Sequence, residues 1–224
     1  MFTGIIEAIG TVQCIKYHSK DMTLTMNAGT LDLSDVKLGD SIAHNGVCLT
    51  VTKLHKTGFD VDLSLETLKR SGFANIKTGF AINLEKAMQM NSRFGGHIVS
   101  GHVDGVGVIS SITPLGSAVE YWIKAPAELA KYIAEKGSIT VDGISLTTNE
   151  IDGANFKLTI IPHTIAQTTL CEYKVGTNVN LEVDVIARYL ERLMLGEQAA
   201  NSASAGTSKK QESTMELLAR SGFM

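Results

Sequence analysis

The sequence predicts a fold dominated by β structure, in which two similar closed antiparallel barrels follow one another and a helix follows the second barrel. Three observations predict it. The chain aligns with itself at an offset of 97 residues along most of its length. Each copy consists of short strand-like runs separated by turn signals, with an Asn-Gly or Asp-Gly pair among them. An amphipathic segment follows the second copy.

The internal repeat is carried by glycines and short motifs that recur in register. The matches include Gly4 with Gly101, Gly46 with Gly143, Leu49-Thr50 with Leu146-Thr147, and Asn83-Leu84-Glu85 with Asn180-Leu181-Glu182. A solenoid needs at least about three copies, so two sequential domains of one fold remain. We therefore expect a first barrel over residues 1–97, a second barrel over 98–184, a helix over 185–196 and a disordered tail over 197–224.

The predicted strands fall at matching places in the two copies. Residues 4–15 and 101–112 are long β-branched stretches with interior glycines, as in a bent barrel strand. Further strands are predicted in MTLTMN, SIAHNGVCLTVT, FDVDLS and AINLEKA of the first copy, and in VEYWIKA, SITVDGISLTTN, FKLTII and NVNLEVD of the second. LETLKRSG predicts a helical turn, and residues 126–137 predict a helix because they begin with Pro and end with Gly.

The segment from Asp184 to Leu195 lies outside the repeat and predicts a helix with Asp184 as its N-cap. Its apolar side chains recur with helical spacing, which leaves two interpretations open: the helix covers the last barrel, or it docks on another subunit. Residues 197–210 are rich in Ala, Ser, Gly and Lys and predict disorder. The final residues, STMELLARSGFM, are compatible with a short helix to which we assign no role.

Composition and charge exclude several classes of function. The chain has 44% hydrophobic and 19% charged residues, a net charge of −3 and a pI of about 6.1, whereas binding to nucleic acid requires a basic face. No apolar run approaches the roughly 18 residues that span a bilayer, and the N-terminus lacks the regions of a signal peptide. Cys14, Cys48 and Cys171 are odd in number and far apart, which indicates reduced thiols in the cytoplasm.

The hairpin motif of each copy is the best-marked place for a binding site. Side chains alternate along a strand, so the apolar residues of NGVCLTV and DGISLTT should fill the barrels. Cys48 and Thr50 in the first copy, and Ser145 and Thr147 in the second, should then face outward. A solvated polar face is the simpler interpretation, but its recurrence favours a ligand surface. A ligand on the outside of a barrel is enclosed only when something, such as another barrel, covers it.

Two titratable residues break the repeat. His102 occupies the position of Ile5, which gives one copy a group that titrates near neutral pH. Asp184 occupies the position of Ala87, although its role as a helix cap explains it without a function. We expect no metal site, because the cysteines form no Cys-x-x-Cys pair and His97 and His102 lack further ligands at a suitable spacing.

Four motifs together resemble the α-type riboflavin synthases: MFTGI at the start, SIAHNGVCLTVT, GGHIVSGHVDGVG and KGSITVDGISLTT. The resemblance covers residues 1–195. It implies two six-stranded Greek-key barrels and a homotrimer held by the C-terminal helices, in which the first barrel of one subunit faces the second barrel of the next. It implies the dismutation of two 6,7-dimethyl-8-ribityllumazine molecules to riboflavin and 5-amino-6-ribitylamino-uracil, with no metal or organic cofactor. Association with lumazine synthase is a further expectation.

The resemblance also assigns site residues. In the first barrel it implies substrate contacts from Gly4, Ile5, Ile6, Cys48, Leu49, Thr50, Asp62, Leu63, Ser64, Leu65, Glu66 and Thr67. In the second it implies contacts from Gly101, His102, Val103, Lys136, Ser145, Leu146, Thr147, Ile160, Ile161, Pro162, His163, Thr164 and Ile165. We expect His102 to assist proton transfer with Ser145 and Thr147 as hydroxyl partners. Cys48, Ser41 and Asp184 are supporting catalytic candidates.

The main alternative is a lumazine-binding protein that serves as an optical antenna without turnover. Such proteins resemble synthases that have lost the second site. The motif DGISLTT, Lys136 and His102 are all present here, which favours the enzyme.

Overall fold

The computed structural model describes residues 1–18 and 21–200 and contains two closed six-stranded barrels in tandem. The first barrel consists of β1 (Ala8–Tyr17), β2 (Met22–Asn27), β3 (Ser41–His44), β4 (Val47–His55), β5 (Gly58–Leu63) and β6 (Ala81–Lys86). The second consists of β7 (Gly105–Leu115), β8 (Ala118–Lys124), β9 (Ser138–Val141), β10 (Ile144–Asp152), β11 (Asn155–Ile160) and β12 (Asn178–Val183).

All strand pairs are antiparallel, and the two barrels share one strand order. The order is β1-β2-β5-β4-β3-β6 in the first barrel and β7-β8-β11-β10-β9-β12 in the second. In each barrel three hairpin-connected strands are followed by a strand that returns beside the first of them, which is the Greek-key connection. The predicted pair of similar antiparallel barrels is confirmed.

Few helices accompany the barrels within residues 1–18 and 21–200. The α-helices there are α1 (Leu65–Arg70), α2 (Pro162–Gln167) and α3 (Val185–Met194), and short 3-10 helices cover Gly72–Asn75, Ala127–Tyr132, Thr169–Glu172 and Gly196–Ala200. Asp184 caps α3, because its Oδ1 accepts the N–H of Ile186 at 2.9 Å. Residues 197–200, the first part of the tail predicted to be disordered, belong to the 3-10 helix Gly196–Ala200. The rest of that tail and the predicted terminal helix lie outside the described residues.

The helix predicted over residues 126–137 is wrong in type and length. Only Ala127–Tyr132 is helical, and it is a 3-10 helix. Leu129 and Ile133 are buried against the core of the second barrel, and the chain then turns back into β9. Lys136 makes that turn with a φ of 63°, and its N–H donates to the carbonyl of Thr148 at 2.8 Å. This return to the sheet ends the helical turns early.

Each barrel has its own apolar core. In the first barrel Leu24, Phe59 and Leu84 are fully buried, and Leu158 and Leu181 are equally buried in the second. The barrels belong to one compact unit, residues 1–188. Among the residues described, no helix is both long and apolar enough to cross a bilayer.

Candidate functional site

The hairpin strands present their polar side chains on the outside of the barrels, as the alternation predicts. On β4, Val47 and Leu49 are 5% and 4% exposed, whereas Thr50 is exposed and Cys48 is half-buried. On β10, Thr147 is exposed and Ser145 is half-buried. Each barrel therefore presents a polar pair on the outer face of its hairpin strand.

The segments that precede the two barrels are exchanged between them. The carbonyl of Gly4 accepts the N–H of Ser145 in the second barrel, and the carbonyl of Gly101 accepts the N–H of Cys48 in the first, each at 2.8 Å. The flanking apolar residues follow the same exchange, because Ile6 packs on the core of the second barrel and Val103 on that of the first.

This exchange corrects the expected grouping of the site residues. We expected residues 4–6 to contribute to the first surface and residues 101–103 to the second. The structure places residues 4–6 beside β10 and residues 101–103 beside β4. Residues 4–7 and 101–104 are also not strand, contrary to the prediction, since β1 and β7 begin only at Ala8 and Gly105.

Two buried glutamates hold the exchanged segments. Glu85 accepts Thr3 N–H and Thr3 Oγ1–H, both at 2.7 Å, and Gly4 N–H at 2.9 Å. Glu182 accepts Ser100 N–H at 2.6 Å, Ser100 Oγ–H at 2.7 Å and Gly101 N–H at 3.0 Å. Burial raises the pKa of both carboxyl groups, and these hydrogen bonds act against the rise. Each barrel thus holds a segment that reaches onto the other.

Glycine is required where the segments touch the polar strands. Gly4 and Gly101 have φ values of 76° and 81°, in the left-handed region. A Cβ on Gly4 would lie 2.6 Å from Cβ of Ser145, and a Cβ on Gly101 would lie 2.6 Å from Cβ of Cys48. The backbone of each segment can therefore approach the strand only without a side chain.

His97 contacts Ser145 but is not among the site residues expected from the sequence. Its Nδ1 lies 2.7 Å from Ser145 Oγ and its Nε2 lies 3.3 Å from Thr140 Oγ1. Burial lowers the pKa of His97, and the charge of Asp184 acts in the opposite direction. The lowered pKa favours the neutral form of the imidazole that contacts the Ser145 hydroxyl. The only signal in the sequence was the motif GGHIVSGH, in which His97 was considered only as a metal ligand.

The catalytic candidates divide between the two surfaces. His102 is exposed and follows Gly101, so it belongs with Cys48 on the first surface. Ser41 joins them, because it pairs with Thr50 across β3 and β4. Ser145 and Thr147 lie on the second surface. Within one chain the structure therefore assigns His102 and its expected hydroxyl partners to different barrels.

The C-terminal ends of β5 and β11 and the residues after them were also expected to contact ligand, and these strands pair with β4 and β10 respectively. Asp62 accepts the Thr23 hydroxyl at 2.7 Å, and Ser64 caps α1 by accepting Thr67 N–H at 3.2 Å. A hollow of about 350 Å³ lies against Asp62, Leu63 and Ser64. Apolar side chains protrude beside α1 and α2, with Leu65 45% and Ile161 59% exposed.

The remaining predicted contacts differ in what they can offer. Lys136, Glu66, Pro162 and His163 are exposed, and Thr67, Thr164 and Ile165 are half-buried. Four side chains point into the barrels, so only their backbone can face a ligand: Leu49, Leu63, Leu146 and Ile160. Among the described residues, no group of three or more His, Cys, Asp or Glu side chains is arranged to hold a metal ion.

Comparison with known proteins identifies the family to which a chain with this arrangement belongs. The family model for the lumazine-binding domain matches residues 3–87 and 100–184, one copy on each barrel. The chain is 51% identical to the riboflavin synthase of Photobacterium phosphoreum over 224 residues and 46% identical to that of Actinobacillus pleuropneumoniae over 223 residues, covering the whole of both. It is 46% identical to the Bacillus subtilis riboflavin synthase over 194 residues, 87% of this chain and 90% of that one. The chain therefore belongs to the riboflavin synthase family of lumazine-binding-domain proteins.

The fold also has a solved counterpart. A crystal structure of LumP complexed with riboflavin superposes with a TM-score of 0.76 at 23% identity, covering 82% of this chain and 99% of that one. At this identity the likeness concerns the fold alone.

Proposed function

We propose that the protein acts as a riboflavin synthase. Two molecules of 6,7-dimethyl-8-ribityllumazine react, one donates a four-carbon unit to the other, and the products are riboflavin and 5-amino-6-ribitylamino-uracil. The observation that carries this proposal is the presence of two equivalent polar surfaces in one chain, Cys48–Thr50 and Ser145–Thr147, each completed by an exchanged glycine segment. A reaction between two copies of one substrate needs two such surfaces.

The surfaces suit a flat, uncharged ring. Each offers hydroxyl or thiol groups and a backbone segment held open by a glycine, next to protruding apolar side chains. Holding two rings face to face replaces a rare encounter with an effectively unimolecular step, and such positioning is worth up to roughly 7–11 kcal/mol. We therefore assign most of the rate enhancement to positioning.

We propose that a second subunit closes the site. Each polar surface faces outward from its own barrel, and His102 and Ser145 lie on different surfaces of one chain. If the first barrel of one subunit faces the second barrel of its neighbour, both groups meet at one pair of substrates. The exposed apolar residues of α3, such as Leu190 and Leu193, support a homotrimer held by these helices.

The residues then take distinct roles. We assign proton transfer at the acidic 7-methyl group of one lumazine to His102, assisted by Thr147. Ser145, held from behind by His97, faces the other side of the substrate pair. Cys48, Ser41 and Asp184 stay supporting candidates. Lys136, whose N–H bonds to β10 at Thr148, is assigned to contact the second ligand.

The test separates an enzyme from a protein that only binds lumazine. The full chain is incubated with 6,7-dimethyl-8-ribityllumazine, and riboflavin is followed by its absorbance and fluorescence. We expect one riboflavin for every two lumazines consumed. Tight binding without product would overturn the enzymatic proposal, and unchanged turnover in His102→Ala would overturn the role given to His102.

Two further proposals concern the surroundings of the enzyme. The free thiols of Cys14, Cys48 and Cys171 support a reducing, cytoplasmic location.

Association with lumazine synthase would shorten the path of the substrate between the two enzymes. Co-sedimentation of the purified proteins tests this association, and independent sedimentation would contradict it.

A further inference from the structure

Two buried asparagines join the barrels in a crossed arrangement. Asn83 lies on β6 of the first barrel and Asn180 lies at the equivalent place on β12 of the second, and they are 1% and 5% exposed. Neither side chain forms one of its hydrogen bonds with residues 48–50 or 145–147 of the proposed ligand surfaces. Each side-chain amide instead makes two hydrogen bonds to the backbone of the opposite barrel.

Asn83 binds two elements of the second barrel. Its Nδ2 donates to the carbonyl of Asp142 at 3.0 Å, and its Oδ1 accepts the N–H of Thr169 at 2.9 Å. Asp142 lies in the turn that leads into β10, which carries Ser145 and Thr147. Thr169 begins the 3-10 helix that follows α2, the segment expected to contact the second ligand.

Asn180 repeats these contacts in the other direction. Its Nδ2 donates to the carbonyl of Asn45 at 2.9 Å, and its Oδ1 accepts the N–H of Gly72 at 2.7 Å. Asn45 lies in the turn that leads into β4, which carries Cys48 and Thr50. Gly72 begins the 3-10 helix that follows α1.

The orientation of both amides is fixed by their partners. A backbone carbonyl can only accept and a backbone N–H can only donate, so each amide uses its oxygen and its nitrogen on opposite groups. The contact between the turns leaves no room for substitution nearby, because a Cβ on Gly143 would lie 2.7 Å from the backbone nitrogen of Gly46. The two turns are thus held against each other at a fixed distance.

We propose that Asn83 and Asn180 are crossed positioning residues, each of which sets the geometry of the ligand surface on the barrel to which it does not belong. Asn83 holds the two elements that frame the second surface, and Asn180 holds the two that frame the first. This inference rests on the proposed function, because it takes the two surfaces to be the lumazine sites. It predicts that a substitution in one barrel impairs ligand binding on the other.

The matched variants Asn83→Leu and Asn180→Leu test this prediction, since leucine is close to asparagine in shape and removes both hydrogen bonds. Riboflavin is titrated into the full ¹⁵N-labelled protein, and backbone amide shifts of residues 145–147 and 48–50 report the two surfaces separately. Asn83→Leu should weaken binding at residues 145–147 by about tenfold, equivalent to about 1.4 kcal/mol, and leave residues 48–50 near wild type. Asn180→Leu should do the reverse.

Each possible outcome decides the question. Equal weakening at both surfaces, no weakening at either surface, or weakening only on the barrel that carries the substitution would overturn the crossed roles. If the leucine variants do not fold, Asn83→Asp and Asn180→Asp keep the acceptor and lose the donor, and the same pattern applies to them. A wild-type protein that forms no riboflavin from the lumazine would instead overturn the proposed function, whether or not it binds the lumazine.

Discussion

At the scale of single residues, Gly101 shows why an exchanged segment can lie directly against β4. Because Gly101 has no side chain, its backbone can approach Cys48 closely. A Cβ there would lie 2.6 Å from Cβ of Cys48 and 2.8 Å from Cε2 of Phe2. Gly79 has nearly the same backbone conformation, with φ values of 85° against 81°, but no described atom lies within 4 Å of its virtual Cβ. The two glycines therefore separate backbone strain from crowding.

We predict that Gly101→Ala destabilises the protein more than Gly79→Ala. Both variants carry the strain of a positive φ, about 1–2 kcal/mol. Gly101→Ala adds crowding of roughly 1–3 kcal/mol and displaces the segment that carries His102, so riboflavin formation falls as well. Urea unfolding and the turnover assay measure the two effects. Equal losses of stability would mean that the neighbours of Gly101 relax freely.

A buried histidine gives the first barrel an acid-sensitive core. His44 is fully buried against Phe59, its Nδ1–H donates to the carbonyl of Ile42 at 2.9 Å, and its Nε2 has no hydrogen-bond partner among the described residues. Desolvation lowers the pKa of His44 from 6.5 to about 4, although the bond to Ile42 acts in the other direction. The folded barrel therefore resists protonation of this ring.

We predict that His44 makes stability fall with acid. Above pH 6.5 the ring is neutral in both states and the full stability is present. As the pH falls from 6.5 towards 4, His44 binds a proton in the unfolded chain but not in the folded barrel. This difference lowers the free energy of unfolding by up to about 3 kcal/mol. His44→Leu, which gives the first barrel an apolar residue where the second has Val141, should flatten urea stability over this window. An unchanged slope would show that other groups cause it.

At the scale of elements, the turn between β9 and β10 differs from its counterpart by one charge. Asp142 stands where the first barrel has Asn45, and both residues have positive φ, 44° and 43°. Asp142 Oδ1 accepts the N–H of Asn180 at 2.7 Å, and Tyr173 donates its hydroxyl to Oδ2. Burial raises the pKa of Asp142 to about 7, and these two hydrogen bonds act against the rise.

We predict that Asp142 has the opposite pH effect to His44. Below pH 3.8 the carboxyl is protonated in both states, and its contribution to stability is fully present. Between pH 3.8 and about 7 the carboxyl is ionised in the unfolded chain but still protonated in the folded one. The free energy of unfolding therefore falls by up to about 4 kcal/mol as the pH rises. Asp142→Asn keeps the acceptor for Asn180 and should raise stability at pH 7 relative to pH 4. A pH profile identical to that of wild type would contradict this.

The elements also show what a sequence can predict. Alternation and the Asn-Gly and Asp-Gly turns placed the hairpins and their polar faces correctly, because those signals are local. The exchange of the segments at Gly4 and Gly101 was missed. The repeat shows that the two segments are equivalent, but the same repeat results whether each segment packs on its own barrel or on the other one. His97 was missed for a related reason: its contact with Ser145 spans 48 residues and leaves no local pattern.

At the scale of the whole molecule, the repeat produces two polar surfaces, one on β4 of the first barrel and one on β10 of the second. The exchanged segments, the glutamates that hold them and the crossed asparagines fix both barrels in one compact unit. Both polar strands nevertheless face outward. In the proposed reaction, which joins two identical molecules, the two kinds of surface are proposed to meet between subunits.

The exposed face of α3 gives this assembly its test. Leu190 and Leu193 are 55% and 75% exposed, and burying such side chains at a subunit contact stabilises it by roughly 1.5–3 kcal/mol each. We predict that the proposed homotrimer forms with the wild-type chain and not with the double variant Leu190→Asp and Leu193→Asp, as measured by light scattering. Riboflavin formation should fall by about a hundredfold or more, because positioning between subunits is lost.

The control variant Arg192→Gln on the same helix should change neither the oligomeric state nor riboflavin formation. The circular dichroism of the barrels should stay that of wild type. A monomeric double variant with full turnover would show that one chain completes the site alone.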